Sequence, residues 1–154
     1  FVNVEAATFH MIAPKWYISG IFRGRLMLPE RQPYFFRSGL GTQTDYVRGY
    51  EYYVIDGGNY GLIRLNLKRE LFNNTYHSHV KYFTAMPLRI YPKLFVDAGY
   101  INSPEPGTSK LSNQWLYSIG AGIDVVTLYD IKLRFEFAYN HLSKNGLFFH
   151  TNSE

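Results

Sequence analysis

From Ile131 to Asn140 the chain alternates without a break. Ile131, Leu133, Phe135, Phe137 and Tyr139 are apolar, and Lys132, Arg134, Glu136, Ala138 and Asn140 interleave with them. A period of two over ten residues puts every apolar side chain on one face of an extended strand, and helical spacing does not fit it. Tyr60 to Leu71 repeats the pattern, with Ile63, Leu65, Leu67 and Leu71 on one face and Arg64, Asn66, Lys68 and Glu70 on the other. Runs of this length match the roughly 9–11 residues of a tilted membrane strand, whereas strands in soluble sheets average about 5–6.

Trp115 to Thr127 sets Trp115, Tyr117, Ile119, Ala121, Ile123 and Val125 against Ser118, Gly120, Gly122 and Asp124, so the second face is built of small residues that leave room beside it. Phe1 to Ile12, Trp16 to Leu28, Leu88 to Ile101 and Gly146 to Asn152 bring the count to about seven strands, with no helix needed. Turn chemistry divides them at Pro14-Lys15, Asn73-Asn74-Thr75, Ser103-Pro104-Glu105-Pro106-Gly107 and Tyr129-Asp130. Short and long connections alternate, as in outer-membrane barrels.

Composition narrows the class. Aromatic residues make up 18%, with 14 Tyr and 12 Phe, which suits strands and membrane interfaces. Trp16, Tyr17, Tyr91, Trp115, Tyr117 and Tyr129 stand near strand ends, where they fit the girdles of a barrel or the core of a soluble sheet equally. No run approaches the roughly 20 apolar residues of a transmembrane helix. The chain has no cysteine, hence no disulfide or thiolate chemistry. Its net charge of +4 is scattered along the strands, which argues against a nucleic-acid partner. The chain opens on Phe1, without an initiating Met or a secretory signal, and is expected to be processed, trimmed or a fragment.

The longest polar interval, from about residue 29 to 58, is far longer than an ordinary strand connection and reads as functional. It carries Val47-Arg48-Gly49-Tyr50, an arginine beside a glycine with Tyr46 and Tyr50 on either side. A solvated loop arginine is the plain reading, against which the flanking tyrosines argue for a tip that folds back and docks. His77-Ser78-His79 has chelating spacing but no evident third ligand, so no metal site is expected. Asn73-Asn74-Thr75 matches a glycosylation sequon, which is uninformative if the source is bacterial. No catalytic motif stands out, and no cofactor is expected.

In order along the chain, Val47-Arg48-Gly49-Tyr50, Gly58-Asn59-Tyr60, Phe95-Val96-Asp97-Ala98-Gly99 and Ile119-Gly120-Ala121-Gly122-Ile123 resemble the C-terminal part of BamA-like outer-membrane assembly barrels, the bacterial surface antigen family. The resemblance implies an all-β fold: an antiparallel transmembrane β-barrel segment, about seven strands of a larger barrel of roughly sixteen. It implies that residues 29–58 dock in the lumen, with Arg48 as the tip arginine and Asp97 as its acidic partner. The family's second acid, on the strand after the loop, corresponds here to Asn66. The family's terminal aromatic is absent from Thr151-Asn152-Ser153-Glu154, leaving Phe148-Phe149 as its nearest equivalent.

The same resemblance implies a bacterial outer-membrane location and a role in inserting β-barrel proteins or translocating proteins. The seam strand would be Gly146, Leu147, Phe148, Phe149 and the residues up to Asn152. Expected partners are outer-membrane lipids, client or passenger proteins, N-terminal barrel strands and periplasmic domains outside this chain, and accessory subunits. With about seven strands the chain is expected not to close alone. The alternative from another class is a small soluble lipocalin-like ligand-binding β-barrel, which would bury the face that a membrane barrel exposes.

Overall fold

Strand pairing in the computed structural model follows the alternating runs closely, and residues 2–28, 39–41, 45–77, 85–103, 109–127 and 131–152 are the ones it describes. The strands are β1 (Val2–Ala13), β2 (Trp16–Leu26), β3 (Asn59–Arg69), β4 (Phe72–His77), β5 (Ala85–Asn102), β6 (Trp115–Val126), β7 (Lys132–Asn140) and β8 (Asn145–Asn152). They form one antiparallel sheet in the order β1-β2-β3-β5-β6-β7-β8, with β4 also pairing β5. The sheet is not closed. Among the described residues β1 pairs only with β2 and β8 only with β7.

The eighth strand revises the expected count of about seven and has a local cause. Between the pairs Lys68↔Lys93 and Phe72↔Ile90 one side advances four residues and the other three. One extra residue against three is a β-bulge, and it splits a long strand into β3 and β4. Pro92 lies opposite it on β5, where a residue with no N–H to donate is tolerated. Asn73-Asn74-Thr75, expected as a turn, therefore pairs with Arg89, Leu88 and Pro87 instead. Cross-strand pairing overrides the turn preference of the asparagines, and the strand runs on to His77. Ser78 and His79 of the chelating triplet lie outside the described residues, as do Tyr129 and the stretch Pro104 to Gly107.

The register sorts the two faces. On one, Ile18 and Phe22 of β2, Ile63 and Leu65 of β3, Leu94 and Val96 of β5, Ile119 and Ile123 of β6, and Phe135 and Phe137 of β7 form a continuous apolar surface. All of these are exposed: Ile119 is 59% accessible and Phe137 50%. The other face carries Arg23, Arg64, Asn66, Lys93, Asp97, Ser118, Asp124, Glu136 and Asn140, and it is covered by the connection between β2 and β3. There Asp97 is 0% and Glu136 1% exposed. Trp16, Trp115 and Tyr117 stand on the apolar face. Tyr17 and Tyr91, which fit a girdle or a soluble core equally in the sequence, belong to the polar face, since Tyr17 is registered with Lys68 and Tyr91 with Asp124.

The small residues of β6 do leave room, and neighbouring side chains fill it. A Cβ on Gly120 would collide with the Phe95 ring and the Phe137 carbonyl, and one on Gly122 would press on Lys93 and Glu136. Gly61, on the apolar face, has open space around it. Gly120→Ala is thus expected to lower stability by about 1–3 kcal/mol through overpacking, while Gly61→Ala stays within about 0.5 kcal/mol. Equilibrium urea unfolding of the two variants checks the contrast, and equal effects would contradict it.

Candidate functional site

Val47 to Tyr50 form a tight turn closed by the Tyr50 N–H donating to the Val47 carbonyl at 3.0 Å. Gly49 occupies its third position with φ +87°, the left-handed conformation that a type II turn requires there and that glycine adopts freely. The turn also lies close on the wall: a Cβ on Gly49 would come 3.2 Å from that of Ala138. Leu40 and Ile55 bridge the two limbs behind it. Leu40, Val47, Tyr50 and Ile55 are buried against Tyr60, Leu62, Ile101 and Leu116 of the sheet. Gly99 makes this possible, because a side chain there would strike Val47 and Leu40.

That docking aims Arg48 into the polar face. Its Nε donates to Asp97 Oδ2 at 2.7 Å and its Nη2 to Asp97 Oδ1, a bidentate pair in which Arg48 is 5% exposed. The Arg48 backbone N–H donates to the same carboxylate at 3.1 Å. Nη1 donates to Asn66 Oδ1 at 2.6 Å and to Glu136 Oε1 at 3.2 Å. The guanidinium lies 3.9 Å from the centroid of the Phe95 ring, a cation–π contact strengthened by the lack of competing water. Burial works against the charge, but the bonds and field of Asp97 and Glu136 outweigh it and hold the Arg48 pKa above its ordinary value.

Glu136 continues the network inward. Lys93 Nζ lies 2.6 Å from Glu136 and 2.7 Å from Asp124, and Lys68 Nζ lies 2.7 Å from Asp124. Four strands thus join one chain of alternating charges. A buried pair of this kind specifies position more than it adds stability, because both ions give up hydration.

The structure brings Arg48, Asp97 and Asn66 together, with the uncharged Asn66 amide oxygen accepting from the guanidinium in the position read as the family's second acid. Glu136 takes the second acidic contact, from β7. Sequence reading placed Glu136 on the polar face without linking it to Arg48, since only the folded sheet brings β7 beneath a loop so far from it in the chain. Two further anchors were missed. Asp45 accepts from Arg23 at 3.0 Å and from the Tyr60 hydroxyl. Asn140 donates to the Gly49 carbonyl at 2.8 Å while its Oδ1 accepts from the Leu142 and Lys144 N–H groups of the β7–β8 turn.

Gly146, Leu147, Phe148 and Phe149 lie on β8, registered with Ala138, Phe137, Glu136 and Phe135. Phe148 turns inward, buried with Phe95 and Ala138, while Leu147 and Phe149 stand exposed on the apolar face. Tyr52 and Phe148 pack with ring centroids 5.6 Å apart, so the loop reaches the last strand as well. Searches against protein-family models, curated proteins and solved structures return no match for this chain.

Removing either partner of the bidentate pair strands a buried charge, so Arg48→Ala and Asp97→Ala are each expected to weaken loop docking by about 3–5 kcal/mol. The double variant should be little worse than either single one. A double-mutant cycle read by proteolytic release of the loop measures this, and fully additive losses would show that the two residues act independently.

Proposed function

We propose that this chain is the C-terminal wall of a BamA-like barrel in the bacterial outer membrane, which inserts β-barrel proteins or translocates proteins by strand exchange at a weak seam. The observation that carries the reading is the inversion of burial. The face that carries Ile119, Phe135 and Phe137 is open, while Asp97 and Glu136 are buried beneath a loop and Asp124 is buried among Lys68, Lys93 and Arg134. Lipid accepts such a surface; water does not accept a contiguous apolar patch of this extent. A soluble lipocalin-like barrel requires the opposite assignment of faces, so the burial pattern counts against it.

The open edges supply the mechanism. An unpaired edge within a bilayer leaves N–H and C=O groups unsatisfied, at several kcal/mol each. On the proposed reading, barrel strands outside this chain pair with β1, and a client strand pairs transiently with β8. The work is exchange of hydrogen bonds, with outer-membrane lipid, client or passenger chains, periplasmic domains and accessory subunits as partners, and it requires no cofactor.

Two measurements test this reading. Phe135→Arg, at a lipid-facing midstrand position, is expected to destabilise the barrel in membranes by about 2–4 kcal/mol, seen as loss of heat-resistant folded protein on gels. Cysteines placed along 146–151 are expected to cross-link to the terminal strand of a client barrel during its assembly. A neutral Phe135→Arg, or cross-links to no client from any β8 position, would contradict it.

A further inference from the structure

Three polar atoms meet where the loop tip touches the last strand, and none of them has a hydrogen-bond partner among the described residues: Glu51 Oε1, Glu136 Oε2 and His150 Nε2. His150 Nε2 lies 3.9 Å from Glu51 Oε1 and 3.7 Å from Glu136 Oε2. The Glu136 side chain is 1% exposed and that of Glu51 12%. The other Glu51 oxygen is fixed, since it accepts the Gly49 N–H at 2.7 Å and so stiffens the Arg48 turn from behind. The imidazole is held by stacking on Tyr46 at 5.8 Å between centroids. One face of a loop, one inner strand and the edge strand therefore present two carboxylates to a single imidazole.

We propose that Glu51, His150 and Glu136 form an acid-strengthened latch tying the loop tip to β8, so that proton uptake locks the last strand to the loop and proton loss frees it. The inference deepens the reading of β8 as a seam, because it gives the loop a titratable grip on that strand. A proton on Glu51 removes the repulsion between two carboxylates and gives Oε1 a hydrogen to donate toward His150 Nε2. The surroundings leave this corner acid-rich at Glu51 and compensated elsewhere. Glu136 is also held by Lys93 of β5 and Arg48 of the loop, Arg134 of β7 sits opposite His150 and points toward Asp124 of β6, and Arg64 of β3 is held by the Tyr46 carbonyl. Asp97 of β5 adds to the field on Glu51 but is committed to Arg48.

The direction of the pH effect follows from Glu51. Burial, with some repulsion from Glu136 and Asp97, pushes its carboxyl up from 4.5 to about 7. A pKa raised on docking means that the docked state holds the proton more tightly. Its contribution is complete below about 4.5, declines as pH rises through about 7, and is gone above that.

Amide hydrogen exchange of the full-length barrel in membranes, corrected for intrinsic rates and read in peptides covering 46–53 and 146–152, tests the latch. Both peptides are expected to exchange several-fold faster at about pH 8 than at about pH 5.5, with one shared midpoint near neutrality. Glu51→Gln, which keeps an oxygen for the Gly49 N–H, should stay protected at both, and His150→Phe, which keeps a ring to stack on Tyr46 but cannot accept a hydrogen bond, should lose part of the protection at the acid end. Protection that is independent of pH yet removed by Arg48→Ala would overturn the latch while leaving the docked loop standing. An unchanged pH profile in Glu51→Gln, or a profile in the loop that β8 does not share, would also overturn it. Fast exchange of wild type at every pH would overturn both the latch and the docked loop.

Discussion

The bidentate contact between Arg48 and Asp97 holds the rest of the molecule in place. Asp97 belongs to β5, near the middle of the sheet, and Arg48 to a loop whose ends are fixed to β2 and β3. Their contact draws the loop across the polar face, and the other anchors follow from it: Asn66 on β3, Glu136 and Asn140 on β7, His150 on β8. Without a loop over it, this face would leave Asp97 and Glu136 without their arginine and the Phe95 ring without its cation. The contact is costly to form, because both charges lose water, and once formed it is costly to break from one side, because the remaining charge is left buried and unpaired.

Glycine makes room for this arrangement at two places that differ in kind. At Gly49 the requirement is conformational, a positive φ in a tight turn. At Gly99 it is one of space, since Val47 and Leu40 occupy the volume that a side chain would take. The Asp97-Ala98-Gly99 triplet therefore does three jobs in sequence: it binds the arginine, presents a methyl group to the apolar face and admits the loop. Tyr60 and Asn59 act similarly at the start of β3, the first by donating to Asp45 and the second by accepting the Met27 N–H at 2.6 Å.

Much of this was legible in the chain because period two is a local signal. The faces of β7 and β6 follow directly from Ile131 to Tyr139 and from Trp115 to Val125. The bulge beside Pro92 was not legible, since it depends on which residues of two strands meet, and Asn73-Asn74-Thr75 looks like a turn to any local rule. Tyr17 and Tyr91 stayed open between girdle and core for a related reason: position near a strand end does not fix which face a residue occupies, whereas register does. Arg48 and Asp97 were paired through a family resemblance. Glu136 and Asn140, remote in sequence and ordinary in type, become visible as loop anchors only once β7 is set in register with β6 and β8.

The central claim is that the exposed apolar face meets lipid while the polar face lies beneath the loop. Photoactivation of a lipid carrying a carbene precursor in its acyl chain, followed by mapping of adducts by mass spectrometry, tests it most directly. Adducts are expected on Leu65, Val96, Ile119, Ile123, Phe135 and Phe137, and not on Arg64, Asn66, Asp97, Ser118 or Glu136. Adducts on the second group, or none on the first in membranes that hold the folded protein, would contradict the account.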